Sequence, residues 1–524
     1  MTSQRQKRSP VHRAGLRSVF AHRAVLRTAF AHRAGLRAGV ALGVSAACLA
    51  LALPAPAAAG TPSPGAPGAG DPLFPTAGNG GYDVRHYDLS FDFTPESYDF
   101  TAKMKISAVS TQALSSFNLD TDGHTIDRVT VDGRRAGFEV KDGGGGGDEG
   151  GEGGPASTGQ ELTVTPSQPL RAGRAFEVTV DYHGNGKDPR TGAQGWSLIS
   201  DGGFVSTVQA TRADTFAPVN DTPSDKATWD FHLTAPDGWT PAANGKRTGK
   251  RPAGGSRTTW DFTLDSPMAP ELMGISVARQ TEVRGKGPRG LPLRHYVPSD
   301  QVARYKPIVE RTGDQIAWLE KQLGARYPFD TYGVQIVKDG YDAALENQTL
   351  SVFSPNWFKD ADKNDKYTTT MVHELTHQWF GDSVTPSDWQ QAWLNEGPAV
   401  YYAARWADAQ GHQPIEEKMK EAYGKLDEVR RTDGPPGLPT ELGGFNIYDG
   451  AAVVLYALSQ ETGQPTFDRI MRSWVTRHAH SNAGSGDFIR NAVQVSGDPA
   501  LGTFLKHWLY DTENPPMPGH PDWS

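Results

Sequence analysis

The sequence predicts an α+β multidomain protein in which an all-β domain precedes a mostly α-helical one. Two observations carry this reading. From Tyr82 onward apolar residues recur at every second position, in short runs with Gly/Pro punctuation that continue to about Arg289. After Leu291 the apolar period lengthens to that of helices. A chain of 524 residues has room for two to four domains, and its 59 Gly and 38 Pro imply many turns.

The first sixty residues stand apart. A ten-residue repeat, HRAGLRSVFA, HRAVLRTAFA, HRAGLRAGVA, fills residues 12–41 and leads into an apolar run from Ala38 to Leu53. Read alone it could be a basic amphipathic helix that lies on a membrane. The run is followed by the small residues Ala55-Pro56-Ala57-Ala58-Ala59, so the order is that of a secretory signal with a long, duplicated basic region, cleaved after Ala59. Cleavage removes nine basic residues and no acid, taking the formal charge from −8 to −17. A mature chain this acidic is repelled by nucleic acid and by anionic membranes, so neither is an expected partner. The single cysteine, Cys48, lies in the apolar run, where lipoprotein-type processing is the alternative; without it the mature chain has no disulfide. A secreted, monomeric protein is the expectation.

Residues 60–75, rich in Pro, Gly and Ala, read as a flexible linker, 76–290 as the β domain and 291–524 as the helical domain. In the β domain Tyr87, Leu89, Phe91 and Phe93 alternate with Asp88, Ser90 and Asp92, and Phe176, Val178, Val180 and Tyr182 repeat the pattern. Between these strands GGGGGDEGGEGG cannot pack a core and reads as a floppy hairpin loop. In the second domain helices are predicted over Ile308–Leu323, Thr368–Phe380, Ala399–Ala409 and Ala451–Gln460, with one more stretch at Phe488–Tyr510. A short strand, Tyr332–Val337, precedes YDAALENQTLSVF.

One predicted helix carries His373-Glu374-Leu375-Thr376-His377. Residues four apart share a helical face, so the two imidazoles converge, and a pair of neutral imidazoles suits zinc. Glu374 is rotated away from that point, placed to act on water rather than to ligate. By composition the pentapeptide arises by chance in roughly one such chain in a hundred, so the rest of a zinc site is needed. Glu396, eighteen residues after His377 in WLNEGPAVYY, supplies a third ligand. Asn395 is the expected N-cap of the helix that starts there, Pro398 fits only in its first turn, and the apolar neighbours Trp393, Leu394, Val400 and Tyr401 imply burial. His478 and His480, two apart, face different ways and read as surface residues.

With these motifs assembled, the chain resembles the aminopeptidase N family of zinc metallopeptidases, gluzincins related to leukotriene hydrolase. The likeness covers about residues 80–515. The stretch from His373 to Asp382 looks like that family's zinc helix, Ala343-Ala-Leu-Glu-Asn347 like its G-x-M-E-N exopeptidase motif, and Tyr448-Asp-Gly-Ala451 like its Y-x-K-G-A segment. Phe216 to Phe231 resembles the signature of its β domain. The resemblance implies a sandwich-like β domain and a thermolysin-like catalytic domain. It also implies one Zn²⁺ held by His373, His377 and Glu396, with Glu374 as general base. Tyr448 would donate to the oxyanion, and Glu346 would bind the free α-amine of a peptide. Asn347, Ala343, Ala344 and, from the β domain, Gln209 would complete the substrate site. Ala343, Leu345, Pro398, Asp449 and Asp214 depart from the family's usual residues, which bears on substrate preference rather than hydrolysis. The family's larger members continue into a further helical domain over the active-site mouth, so a more open site is expected here. Two alternatives remain at this point: a thermolysin-like endopeptidase, and a binding protein that has kept the fold without catalysis.

Overall fold

The computed structural model describes residues 61–142, 159–188, 190 and 195–523. The basic repeat, the apolar run, the cleavage site and the glycine-rich loop at 143–158 lie outside the described residues. Everything described belongs to one compact unit.

The β domain is built on an eight-stranded sheet. Its strand order is Lys246–Gly254, Arg257–Met268, Ala227–Pro236, Tyr82–Thr94, Asp99–Ser110, Ala175–Asn185, Thr125–Val131 and Arg134–Arg135. Tyr82–Thr94 runs parallel to Ala227–Pro236 and antiparallel to Asp99–Ser110. The period-two pattern is the cause: Tyr87, Leu89, Phe91 and Phe93 all point into the core. There Tyr87 stacks on Trp229 at 4.2 Å, and Trp196 on Phe216 at 4.1 Å. Two four-stranded sheets complete the domain. Gly137–Asp142 and Gln160–Thr165 form the hairpin expected around the glycine-rich loop, with Asp142 opposite Gln160.

Residues 61–75 are not a free linker. Ser63–Pro64 pairs with Leu114–Thr121, and Gly65 N–H donates to Ser116 O at 2.9 Å. Asp71 is buried; its carboxylate accepts from Leu73 N (2.8 Å), Phe74 N (3.0 Å) and Trp389 N (2.6 Å), and the Phe74 ring sits edge-on to Trp389. The composition misleads because glycine here serves close approach, not freedom: a Cβ on Gly65 would stand 2.5 Å from Gly80 O.

The second domain begins earlier than residue 291. Its five-stranded sheet has the order Gln280–Lys286, Pro292–Pro298, Val334–Ile336, Ser351–Phe353, Ala344–Leu345. The first two strands form one antiparallel hairpin, Gln280 opposite Pro298. The run of short punctuated strands to about Arg289 puts Gln280–Lys286 with the β domain, because sequence does not say which sheet a strand joins.

The helices are α1 (Val302–Val309), α2 (Thr312–Leu323), α3 (Tyr367–His377), α4 (Trp393–Ala409), α5 (Ile415–Thr432), α6 (Ala451–Thr462), α7 (Gln464–Arg477), α8 (Ser485–Ser496) and α9 (Ala500–Tyr510). Two predicted helices are each a pair. Ile308–Leu323 is divided at Glu310–Arg311, and the 488–510 stretch at Gly497, whose φ of 75° caps α8. Helix α4 lies antiparallel to α3: Glu396 meets His373 and His377 at one end, and Trp406 Nε1 donates to Thr368 Oγ1 (2.9 Å) at the other. Behind them Trp379, Trp389, Trp393, Trp474 and Trp508 are fully buried in one core.

Candidate metal centre and its cavity

Helix α3 buries Met371, Val372 and Leu375 and so turns His373 and His377 towards α4. His373 Nε2 stands 3.4 Å and His377 Nε2 3.3 Å from the same oxygen, Oε2 of Glu396. Two ligands at zinc's usual bond lengths and tetrahedral angles stand about 3.3 Å apart, so the separations fit. Glu396 Oε2 is buried without a hydrogen-bond partner, as a ligand oxygen facing a cation would be. The ligand atoms of the three residues lie within 4.8 Å of one another. His377 is 1% exposed at its side chain and His373 19%, so the centre opens on one side only.

Glu396 reaches this point because α4 packs closely on α6 at the next residue. A Cβ on Gly397 would meet the Ala451 Cβ at 2.7 Å, and only glycine allows the approach. The same contact brings in Tyr448, which sits just before α6 in a π-helical turn, Asn446–Gly450. Its ring is parallel to His373, with centroids 6.4 Å apart.

Asn395 is not an N-cap. The helix starts two residues earlier, and Asn395 Oδ1 instead accepts from His377 Nδ1 at 2.8 Å. That bond fixes the tautomer leaving Nε2 free to ligate. The Asn395 amide also donates to Glu346 Oε1 (3.3 Å), linking the metal centre to its neighbour. Pro398 lies six residues into α4 rather than in its first turn, where it offers no N–H to Leu394 O.

Glu346 sits in the turn between the strands Ala344–Leu345 and Ser351–Phe353 and is 3% exposed. Gln209 Nε2, reaching over from the β domain, donates to Glu346 Oε1 at 2.6 Å. Gln378, next after the histidine motif, holds the turn from below: its Nε2 donates to Glu346 O (3.0 Å) and its Oε1 accepts from Thr349 N (2.8 Å). Glu346, Glu374 and His377 also place one ligand atom each within 4.8 Å.

The electrostatics show a site short of positive charge. Burial pushes Glu374 well above the usual carboxylate range, with Glu346 and Glu396 adding to it against His377. Burial alone would lower His377, but the carboxylates of Glu346 and Glu396 outweigh it and raise the ring. Burial would raise Glu396, yet the two imidazoles prevail and bring it to about 2. Burial, then Glu396 and Glu346, lift the Tyr448 phenol well above its ordinary value. Protons or a cation must answer this crowd of acids, and two imidazoles with one carboxylate are a donor set for zinc.

These groups line a cavity of about 440 Å³ together with Gln209, Ala343, Ala344, Trp357, Thr369, Thr370, Val400, Ala403, Ala404, Ala407, Gln413, Lys418 and Asp449. Most of the residues named from the sequence thus meet in one place. Asn347 does not: it is wholly buried against Gly274, outside the cavity. His478 and His480 are half-buried rather than on the surface, their rings on Trp474 and Phe329. Asn395 and Gln378 were missed in these roles, because each acts through a contact between elements distant in sequence.

Known proteins match the same architecture. The Peptidase M1 N-terminal domain matches residues 84–270 and the Peptidase family M1 domain residues 308–508, taking in most of the chain between them. Aminopeptidase N of Streptomyces lividans is 26% identical over 309 residues, covering 55% of this chain and 35% of that protein. Aminopeptidase N of Bos taurus is 26% identical over 263 residues, 47% of this chain and 27% of that protein. The chain therefore spans about a third of the length of these curated relatives. The crystal structure of an M1 zinc metallopeptidase from Deinococcus radiodurans superposes with a TM-score of 0.72 at 25% identity, covering 86% of this chain and 99% of that one. A variant of a two-domain M1 zinc metallopeptidase bound to L-arginine gives the same values. With these matches and this donor set, the chain belongs to peptidase family M1 and has its two-domain fold and zinc site.

Proposed function

We propose that this protein is a zinc aminopeptidase that removes N-terminal residues from peptides. The observation that carries the reading is Glu346, a buried carboxylate facing the same cavity as His373, His377 and Glu396. A free α-ammonium pairs with such a carboxylate, whereas a blocked N-terminus leaves it buried and unpaired. A thermolysin-like endopeptidase has no use for this anchor. The M1 relative bound to a free amino acid agrees with a site that holds an N-terminal residue.

Zinc, when bound by His373, His377 and Glu396, supplies a Lewis acid that polarises the scissile carbonyl and acidifies water. The chain's own residues do the rest. Glu374, buried beside the metal centre and lining the cavity, takes the proton of the attacking water and returns it to the leaving amine. Tyr448 keeps its proton at neutral pH and donates a hydrogen bond to the oxyanion as it develops. Gln209 and Asn395 hold Glu346 in place by donating to its Oε1. A protein that had kept only a binding role would not need both Glu374 and Tyr448.

Leu-p-nitroanilide and Ala-p-nitroanilide should be hydrolysed, chelator-sensitively, and their N-acetyl forms should not. Equal turnover of free and blocked substrates would overturn the proposal. Secretion belongs to the proposal too and rests on residues 1–59 alone; no described helix is long and apolar enough to cross a membrane. N-terminal sequencing of the exported protein should find a start at Gly60, and size-exclusion chromatography should find a monomer.

A further inference from the structure

We propose that Trp357 makes this enzyme select peptides with a large apolar or aromatic residue directly after the scissile bond. The proposal rests on the aminopeptidase reading and names its substrate class. Trp357 is 45% exposed, and Leu438 is the one other large hydrophobic side chain so exposed among the described residues. Unlike Leu438, it lines the catalytic cavity. An exposed tryptophan costs solubility, so its place beside a catalytic centre asks for a reason.

The ring is carried by an anchored turn. Trp357 lies in the 3₁₀ turn Pro355–Phe358, capped by Ser354 Oγ, which accepts from Asn356 N at 3.1 Å. Ser354 N donates to Ala343 O (2.8 Å), Asn356 Nδ2 to Asp342 Oδ1, and Arg304 Nη2 to Phe358 O (3.2 Å). Phe358 is buried in the core. A surface held this way loses little entropy when it binds.

Position assigns the subsite. Asp342 and Ala343 lie at the end of the edge strand away from Glu346, about 10 Å along it at the usual rise per residue. A peptide with its amine on Glu346 spends its first residue reaching the metal centre. Its chain then runs antiparallel to the edge strand, towards Ala343 and the Trp357 turn. The same cavity is lined along one stripe of α4 by Val400, Ala403, Ala404 and Ala407, at i, i+3, i+4 and i+7. A broad ring and small aliphatic side chains in one cavity leave room for a flat or bulky apolar group. Lys418, the one lysine or arginine in the cavity lining, is already paired with Asp449 at 2.5 Å, which leaves an acidic side chain without a ready partner.

The test uses the mature enzyme and two peptide sets, Ala-X-Ala and X-Gly-Ala, with X as Phe, Leu, Gly or Asp, followed by chromatography of the released amino acid. Ala-Phe-Ala should exceed Ala-Gly-Ala in kcat/KM by about tenfold, with Leu between them and Asp lowest. Trp357→Ala should bring the Phe:Gly ratio in the Ala-X-Ala set close to one, and Trp357→Phe should restore most of it. Equal wild-type rates for Phe and Gly at the second position would overturn the proposal. So would a Trp357→Ala enzyme that loses the same factor on every peptide, or whose selectivity changes only in the X-Gly-Ala set. N-acetyl-Ala-Phe-Ala separates the two readings. If the blocked peptide is spared and the Phe:Gly ratio is flat, only the subsite falls; if it is cut as fast as the free one, both fall.

Discussion

Glu396 Oε2 and the two Nε2 atoms beside it are legible from the chain alone, because a spacing of four on one helix puts His373 and His377 on one face. Asn395 is another matter. Its letter and place suggest a cap, and only the packing of α3 on α4 turns its amide onto His377 Nδ1. A partner of this kind tunes a metal site without touching the metal, so Asn395→Ala should weaken zinc binding by roughly 10- to 100-fold, as read by competition with a chromogenic chelator. Unchanged affinity would mean that the Phe380 carbonyl, 3.2 Å from the same nitrogen, suffices. Glu374→Gln separates metal from chemistry: the variant should keep one zinc per chain and lose roughly 10³-fold in kcat. Gln378 was out of reach of a sequence reading for the same reason as Asn395. Each works through a contact whose other side lies in a distant segment.

At the scale of elements, the helices around the site follow their sequence periodicity, and the misplaced boundaries fall where tertiary contacts decide. The segment from Gly60 to Pro75 reads as loose because it is poor in large apolar residues. In the fold residues 61–75 are a staple: Asp71 caps its own turn and accepts from Trp389 N, ahead of the helix that carries Glu396. Asp71→Ala leaves three backbone donors to find other partners and should cost about 1–3 kcal/mol of unfolding free energy by denaturant titration. A change within about 0.5 kcal/mol would mean the staple is incidental. The strand Gln280–Lys286 gives the complementary lesson. It falls among the short punctuated strands that read on to about Arg289, while its membership of the catalytic sheet depends on pairing with Pro292–Pro298.

Over the whole molecule, the order of an all-β domain before a helical one was readable, and the joint between them only in part: the family resemblance brings Gln209 to the substrate site, and nothing in the sequence brings Lys226 to the zinc helix. That joint is polar and buried: Gln209 from the β domain meets Glu346, and Lys226 donates to the carbonyls of Asp382 and Ser383 just after the zinc helix. The β domain's own acids make its stability depend on pH. Burial raises Asp225 from an ordinary 3.8 to about 7, although Asn220 Nδ2 and Val84 N donate to it. Between those values the folded chain holds a proton that the unfolded chain has released, so this contribution is full below pH 3.8 and lost as pH rises through 7. Relative to Asp225→Asn, the wild type should lose up to about 1.4 kcal/mol per pH unit across that window and nothing above it. A difference independent of pH would contradict the assignment. The central claim, that an amine anchor makes this zinc site an aminopeptidase, is tested most directly by Glu346→Gln. The measurement is the ratio of kcat/KM for Leu-p-nitroanilide to that for its N-acetyl form, in wild type and variant, at matched zinc content. The account predicts a large ratio in the wild type that collapses in Glu346→Gln through loss on the free substrate alone; a ratio unchanged by the substitution would contradict it.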